Sequence, residues 1–173
     1  MKTIYTIGHS TRRSDEFLSI LKAFGIELVA DIRTVPRSRR NPQYDQESLE
    51  RLLGEHQFGY VHVPALGGLR HPRKDSPNMG WVNESFRGYA DYMQTPAFEK
   101  AVEDLVARAA EAQIVTMCAE AVPWRCHRSL VGDALLVRGI HVEDIMSERI
   151  AKPHKLTAWA RVEGLHVTYP KPE

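Results

Sequence analysis

The stretch Ile114-Val115-Thr116-Met117-Cys118 decides the fold of this chain, because only Thr116 interrupts its apolar character. A continuous apolar run of this length is typical of a strand that is covered on both faces, as in a parallel sheet. Residues 126–138 then place apolar side chains at helical spacing and end at Gly139, which predicts a helix soon after the strand. A strand followed by a helix is the repeating unit of α/β domains.

The same alternation extends in both directions along the chain. Strands are predicted at residues 3–7, 26–32, 60–63, 114–117 and 140–145. Helices are predicted to begin near Ser14, Asp45, Asn83, Thr95 and Cys126, with a short tail helix at 156–162 and an extended piece at 167–169. We therefore expect one α/β domain over residues 1–173: a mostly parallel sheet of about five strands with flanking helices, in a Rossmann-like three-layer arrangement.

Composition sets limits on function. The 173 residues are 43% apolar and 26% charged with a net charge of +1, which excludes a disordered chain and a globally basic nucleic-acid binder. Two cysteines cannot form a disulfide framework, so a cytoplasmic location is expected. Neither a secretory leader nor a membrane-spanning segment is predicted, and no contact with a membrane is expected.

Reactive side chains follow the predicted strands at the points where the strands end. In an open parallel sheet, ligands bind outside the carboxyl ends of the strands, so these side chains are predicted to meet in one pocket. Those at strand ends are His9, Ser10, Asp31, Arg33, Cys118, Glu120, Arg125, Cys126, His127 and Arg128.

Cys126 is the principal catalytic candidate. It is predicted to lie near the first turn of a helix, beside Arg125, His127 and Arg128. A helix N-terminus and neighbouring cations lower the pKa of a thiol, which activates it as a nucleophile or redox group. The same cations and free amide groups form an anion site. The alternative is that Cys126 is a small buried packing residue.

The other catalytic candidates are Cys118, Glu120, His9 and His127. For Cys118 a structural role is favoured, and its position at a strand end leaves a catalytic role open. Glu120 can serve as a general acid or base, or can pair with Arg125 or Arg128. Asp31 and Arg33 lie two residues apart, on one face of an extended strand, where a paired structural role and a binding role are both open.

Two other kinds of site are less well supported. The cysteines and His9 could in principle surround zinc, but seven residues separate Cys118 from Cys126, which does not match a zinc knuckle. No metal or cofactor is therefore predicted. The interval from Cys118 to Arg125 is one residue longer than a cysteine-phosphatase loop and contains Pro123, which lacks an amide proton, so that loop is rejected.

The segment Arg37-Ser38-Arg39-Arg40 is a local basic loop. Arginine forks suit phosphate groups, so this loop favours a nucleic-acid or nucleotide contact. A solvated face without a partner is the competing interpretation.

Several motifs together resemble a bacterial family designated domain of unknown function 488. They are Thr6-Ile7-Gly8-His9-Ser10, Asp31-Ile32-Arg33, the segment 60–68, Phe86-Arg87-Gly88-Tyr89-Ala90-Asp91-Tyr92, Met117-Cys118-Ala119-Glu120, Cys126-His127-Arg128 and Pro153-His154-Lys155-Leu156-Thr157. The resemblance spans nearly the whole chain and implies one compact α/β domain whose motif residues line a shared pocket. It carries no settled activity. It adds His154 to the candidate binding residues, which are Ser10, Asp31, Arg33, Arg125, Arg128, Arg87 and His154.

Three functions remain open from the sequence. The first is a hydrolase or transferase that uses a thiolate or carboxylate on a phosphate-bearing, nucleotide-like small molecule. The second is a nucleic-acid-binding or -processing module that uses the Arg37-to-Arg40 loop. The third is a non-catalytic sensor that binds an anion or nucleotide. The sequence does not determine the oligomeric state.

Overall fold

A computed structural model describes residues 3–172 of the chain. The strands are β1 (Thr3–Gly8), β2 (Leu28–Asp31), β3 (Gly59–His62), β4 (Ile114–Cys118), β5 (His141–Ile145), β6 (Ala151–Pro153), β7 (Arg161–Glu163) and β8 (His166–Thr168). The helices are α1 (Ser14–Ala23), α2 (Gln46–Glu55), α3 (Glu84–Tyr92), α4 (Pro96–Ala109) and α5 (Arg128–Leu136). Short 3-10 turns lie at Pro42–Tyr44, Pro64–Leu66 and Pro123–Arg125.

The main sheet has six strands in the order β3-β2-β4-β1-β5-β6. The first five are parallel, which confirms the predicted α/β class with a mostly parallel sheet. The prediction of about five strands omits β6, which pairs antiparallel with β5 through Glu143 and Pro153. A three-residue edge strand gives too short a pattern to be detected from sequence.

Helices cover both faces of the sheet, as the three-layer prediction requires. One core joins α1 and α2 to residues such as Val29, Val115 and Met117. The other joins α3, α4 and α5 to Ile114 and Cys118. Successive side chains of a strand point to opposite faces of the sheet, so Cys118 at the end of β4 lies on the face that α5 covers. Within residues 3–172, no helix combines the length and apolar character needed to cross a bilayer.

The tail differs from the sequence prediction. The expected helix at residues 156–162 is wrong, because this segment forms turns and then β7, which pairs with β8. Thr157 donates its backbone and hydroxyl hydrogens to the carboxylate of Asp133 in α5, at 3.2 and 2.7 Å. Those bonds hold the segment against α5, and Gly164, at a φ of 63°, permits the turn between the two strands.

The connections after neighbouring strands leave the sheet in opposite directions. The chain passes from β1 to α1 and from β2 to α2 on one face, whereas from β4 it passes to α5 on the other. Since β4 lies between β1 and β2, this divergence opens a crevice at its carboxyl end, at Cys118.

Candidate active site

Gly8 brings the ends of β1 and β4 together. Gly8 is the register partner of Cys118, and the backbone amides of His9 and Ser10 donate to the carbonyls of Cys118 and Ala119, at 2.8 and 2.9 Å. A Cβ atom on Gly8 would lie 1.7 Å from the carbonyl oxygen of Glu120, so a side chain is excluded here. The absence of a side chain lets the two strand ends close around the crevice.

Arg128 is a fully buried cation at the base of this crevice, with 0% exposure. Its Nη1 donates to Cys118 Sγ at 3.0 Å and to the carbonyl oxygen of Glu120 at 2.7 Å. Its Nη2 donates to the carbonyl oxygen of Ala121 at 3.2 Å. None of the ion pairs within residues 3–172 involves Arg128. Since an uncompensated buried charge is costly, the sulfur of Cys118 is the natural counter-charge.

The two thiols are in direct contact, with their sulfurs 2.7 Å apart. Burial by itself raises the pKa of Cys118, but the hydrogen bond from Cys126 and the charge of Arg128 outweigh burial and lower it to about 7. The hydrogen bond to Cys118 and burial raise the pKa of Cys126. These directions are opposite to the predicted lowering at Cys126, and they favour Cys118 as the thiol that ionises first.

The location of Cys126 explains this reversal. Pro123 starts a 3-10 turn that ends at Arg125, and Cys126 then adopts extended backbone angles, with φ −135° and ψ 145°. Helix α5 begins at Arg128, two residues after the predicted start near Cys126. One helical amide still reaches the sulfur, because Arg128 N donates to Cys126 Sγ at 3.4 Å.

His127 lies beside the thiol pair as a neutral imidazole. Its Nε2 donates to the carbonyl oxygen of Ile32 at 3.0 Å, which leaves Nδ1 as an acceptor 3.5 Å from Cys126 Sγ. Burial is the main cause that lowers the pKa of His127, to about 4. A Cβ atom on Gly68 would lie 2.6 Å from Nδ1, so the loop after β3 packs directly against the ring.

Asp31 and Arg33 form a buried ion pair with two hydrogen bonds. Arg33 Nε and Nη2 donate to the two carboxylate oxygens of Asp31, at 2.9 and 2.7 Å. The Tyr60 hydroxyl also donates to Asp31, at 2.7 Å. The remaining nitrogen of the arginine, Nη1, lies 3.4 Å from Nε2 of His9. Asp31 therefore holds Arg33 in place, and both carboxylate oxygens of Asp31 accept hydrogen bonds.

His9 is held between this pair and an aromatic ring. Its Nδ1 donates to the carbonyl oxygen of Ser10 at 2.8 Å, and its ring stacks on Tyr44 with the centroids 4.1 Å apart. Burial is the main cause that lowers the pKa of His9, to about 4, and the charge of Arg33 lowers it further. The neutral ring thus presents Nε2 to Arg33 as an acceptor.

The thiol cleft, as we name it here, has a volume of about 380 Å³ and is lined by both cysteines, His127, Glu120 and three arginines. The arginines are Arg33, Arg37 and Arg125. Arg37, Arg125 and Glu120 are exposed, and within residues 3–172 none of the three forms an ion pair. The cleft therefore combines a buried thiol pair with cationic side chains at its mouth.

The basic loop lines a second cleft. This cleft, of about 450 Å³, contains His9, Ser10, Arg39 and Arg40, and it shares Ala119 and Glu120 with the thiol cleft. Ser10 thus belongs to this neighbouring space. No group of three or more His, Cys, Asp or Glu side chains suited to hold a metal ion occurs in the described part of the chain.

Two predicted binding residues lie elsewhere. Arg87 does not line the thiol cleft, although Ser85 and Phe86 do; its Nη1 donates to the carbonyl oxygen of Trp81 at 3.3 Å. His154 bridges Asp133 and Asp144, at 2.9 and 3.2 Å. It lines a separate cleft of about 330 Å³ that contains all three tryptophans: Trp81, Trp124 and Trp159.

A family model described as domain of unknown function DUF488 matches residues 13–135. The match covers more than half of the chain. The chain belongs to the DUF488 family.

The DUF488 match includes Asp31, Arg33, Cys118, Cys126 and Arg128, whereas His9 and His154 lie outside it. Comparison with curated proteins and with solved structures gave no match.

Sequence reasoning missed several residues that hold the candidate side chains of this DUF488 chain, or the tail beside them, in place. Tyr60 fixes Asp31, Gly68 makes room for His127, and Asp133 holds both Thr157 and His154. The Gly67-Gly68 pair, in the loop after β3 and the Pro64–Leu66 turn, was a usable signal, because adjacent glycines in such a loop indicate a close approach of another group. Asp133 gave no such signal, since it lies within a helix whose partner is distant in sequence.

Proposed function

We propose that this DUF488 chain is a thiol-dependent hydrolase or transferase that acts on a phosphate-bearing, nucleotide-like substrate, with Cys118 as the nucleophile. The observation that carries the proposal is the contact between buried Arg128, which pairs with no carboxylate among residues 3–172, and the Cys118 sulfur at 3.0 Å. A thiolate is the reactive form of cysteine, and a fixed cation keeps it ionised near neutral pH.

The mouth of the thiol cleft supports an anionic substrate. Arg37 and Arg125 line it as exposed cations, whereas the fork of Arg33 is occupied by Asp31. Guanidinium groups bind phosphate with two parallel hydrogen bonds. Arg37 and Arg125 are therefore the phosphate-binding residues of the proposal, and Arg33 is a positioning residue.

The proposed chemical step is a displacement at an electrophilic carbon or phosphorus atom. The electron pair of Cys118 forms the new bond to that atom, and the bond to the leaving group breaks with its electron pair remaining on the leaving group. Glu120, at the cleft mouth, donates a proton to the leaving group. It then takes a proton from the water or acceptor hydroxyl that displaces Cys118 and releases the product.

The cleft that contains Trp81, Trp124 and Trp159, which we name the tryptophan cleft, supports the nucleotide-like part of the proposal. The Pro123–Arg125 turn contributes Arg125 to the thiol cleft, and Pro123 and Trp124 to the tryptophan cleft. Trp124 is 65% exposed, and Lys155 lines the same space. Exposed indole rings stack on nucleobases. A nucleotide can thus place its phosphate and its base on opposite sides of one turn.

Ligand screening tests the proposal. Inorganic phosphate and nucleoside mono-, di- and triphosphates are added to the full chain, and thermal unfolding is followed. Nucleotides are expected to raise Tm, and Arg125→Ala is expected to reduce the shift. The matched control is Arg161→Ala, which removes an exposed arginine in β7 that pairs with Glu163. No rise in Tm with any of the compounds would contradict the anionic substrate.

Turnover separates an enzyme from a sensor. The compounds that bind are incubated with wild type and with Cys118→Ser, and products are measured by mass spectrometry. Product formation that requires Cys118 is the expected result. Binding with no turnover of any compound would instead support the sensor interpretation and overturn the enzyme proposal.

Nucleic-acid binding is the second candidate, because Arg39 and Arg40 line a cleft that adjoins the thiol cleft. It predicts retardation of single- or double-stranded DNA or RNA in a gel at low salt, with affinity that falls steeply as salt rises. Arg39→Ala with Arg40→Ala is expected to abolish the shift. No retardation by wild type removes this candidate.

A further inference from the structure

We propose that Cys118 and Cys126 form a reversible intramolecular disulfide when the protein meets hydrogen peroxide. This inference rests on the same Cys118 sulfur as the proposed function, and it assigns that site a second chemistry and a means of regulation.

The geometry of the two sulfurs favours a direct bond. Cys118 ends β4 and Cys126 precedes α5, yet their Sγ atoms lie 2.7 Å apart as free thiols. Disulfide formation requires the sulfurs to approach by only about 0.7 Å. Hydrogen bonds to both sulfurs from Arg128, through its side chain and its backbone amide, hold the pair in this position.

The two cysteines have the different protonation states that the reaction needs. Arg128 favours the thiolate of Cys118, which is the form that peroxide oxidises. Cys126 keeps its proton and shares it with the Cys118 sulfur at 2.7 Å, and Nδ1 of His127, 3.5 Å from Cys126 Sγ, is placed to accept that proton when Cys126 attacks. Cys118 is thus the sulfur that attacks peroxide, and Cys126 is the resolving thiol already in contact with it.

Access to the pair is limited to small oxidants. Cys118 and Cys126 are 2% and 6% exposed, and both line the thiol cleft. A molecule of the size of hydrogen peroxide can enter and reach the sulfur. A second protein cannot, which favours the internal disulfide over a disulfide between chains.

The reaction balances in two steps. The Cys118 thiolate attacks one oxygen of hydrogen peroxide, the O–O bond breaks, and Cys118 sulfenic acid forms with release of hydroxide, which takes a proton from solvent. The sulfur of Cys126 then attacks the Cys118 sulfur, the S–O bond breaks, and the departing hydroxide leaves as water with the Cys126 proton. Two electrons pass from the dithiol to peroxide.

The buried arginine makes the disulfide readily reducible. Once Cys118 is oxidised, Arg128 loses its anionic partner and becomes an uncompensated buried cation. The reduced form is therefore stabilised relative to the oxidised form, which raises the reduction potential. Oxidation removes the Cys118 nucleophile, and a dithiol reductant restores it, so the pair is a redox switch for the proposed activity.

Mass spectrometric mapping tests the inference on the full chain. Reduced protein is treated with one equivalent of hydrogen peroxide, free thiols are blocked with N-ethylmaleimide, and the denatured protein is digested with trypsin. Cleavage after Arg125 separates the cysteines, so a linked peptide reports the bond. The expected product joins Cys118 to Cys126 within one chain and disappears after dithiothreitol treatment.

Variants identify the order of the steps. Cys126→Ser is expected to stop at Cys118 sulfenic acid, which dimedone traps, whereas Cys118→Ser is expected to keep Cys126 as a free thiol. Cys126→Ala is the second variant if Ser at this position disturbs folding. Wild-type protein whose cysteines both remain alkylated by N-ethylmaleimide after peroxide would overturn the inference, as would a disulfide only between chains.

The two proposals fail in distinguishable ways. Nucleotide binding and Cys118-dependent turnover without a disulfide would leave the proposed function standing and remove the switch. A linked peptide without any bound or converted nucleotide would support the disulfide and remove the proposed function.

Discussion

Nη1 of Arg128 lies 3.0 Å from Sγ of Cys118, and this buried contact joins the start of α5 to the end of β4. The same guanidinium is hydrogen-bonded to the carbonyl oxygens of Glu120 and Ala121, which fixes its direction. A cation that cannot rotate away is an effective partner for a thiolate, because no reorganisation is required when the charge develops.

Removing the buried charge raises the pKa of Cys118. In Arg128→Met, the pH midpoint for alkylation of Cys118 by iodoacetamide is expected to rise by roughly one to three units, because the cation that favours the thiolate is lost. Alkylation is followed by mass spectrometry across a pH series. Arg125→Met is the matched control, since it removes an exposed cation from the same cleft and leaves the midpoint unchanged. An unaltered midpoint in Arg128→Met would show that Arg128 does not control the thiol.

Gly8→Ala disrupts the junction of β1 and β4. The new Cβ atom would lie 1.7 Å from the carbonyl oxygen of Glu120, so the backbone must shift. We expect the free energy of unfolding in urea to fall by about 3 kcal/mol. Gly54→Ala in α2 is the matched control; it meets open space and is expected to stabilise the protein by about 0.5–1 kcal/mol. Equal effects of the two substitutions would contradict the close approach at Gly8.

His154 makes stability depend on pH in the alkaline range. Burial alone lowers its pKa, but hydrogen bonds to Asp133 and Asp144 raise it to about 9. A raised pKa means that the stabilisation is fully present below the unfolded value of 6.5 and is lost as the pH rises through 9. The full contribution is roughly 3 kcal/mol.

Urea unfolding of wild type and His154→Gln at several pH values measures this contribution. The difference between the two proteins is expected to shrink from pH 6 to pH 10, because wild type loses its ionic bonds and the variant never had them. His56→Gln, an exposed position in the chain, is the control and is expected to follow wild type. A difference that stays constant with pH would show that His154 is not charged in the folded protein.

His9 is expected to remain neutral well below the usual range of histidine. Burial, aided by the charge of Arg33, lowers its pKa to about 4. The folded state resists protonation, so the free energy of unfolding falls as the pH drops from 6.5 toward 4. Nitrogen-15 NMR of the ring, assigned with His9→Gln, measures the midpoint directly. A midpoint near 6.5 would mean that the ring is open to solvent.

Local patterns predicted the fold well where they were strong. Thr95-Pro96 and Asn83 marked the starts of α4 and α3, because a capping side chain accepts hydrogen bonds from the first free amides. The strand β6 was missed because three residues give too short a pattern to detect, whereas the segment at 156–162 was mispredicted because Asp133, which holds it, is distant in sequence. The proximity of Cys118, Cys126 and Arg128 was predictable, because all three belong to one strand-turn-helix unit.

The sequence by itself determined the alternation of strands and helices, since apolar spacing and capping residues act within a few neighbouring positions. It also determined that two thiols and Arg128 lie near one strand end. Only the tertiary structure decided which thiol ionises, because that depends on distances between side chains. Arg128 reaches Cys118 from α5, and Cys126, held in extended backbone before the helix, donates to the same sulfur and keeps its own proton.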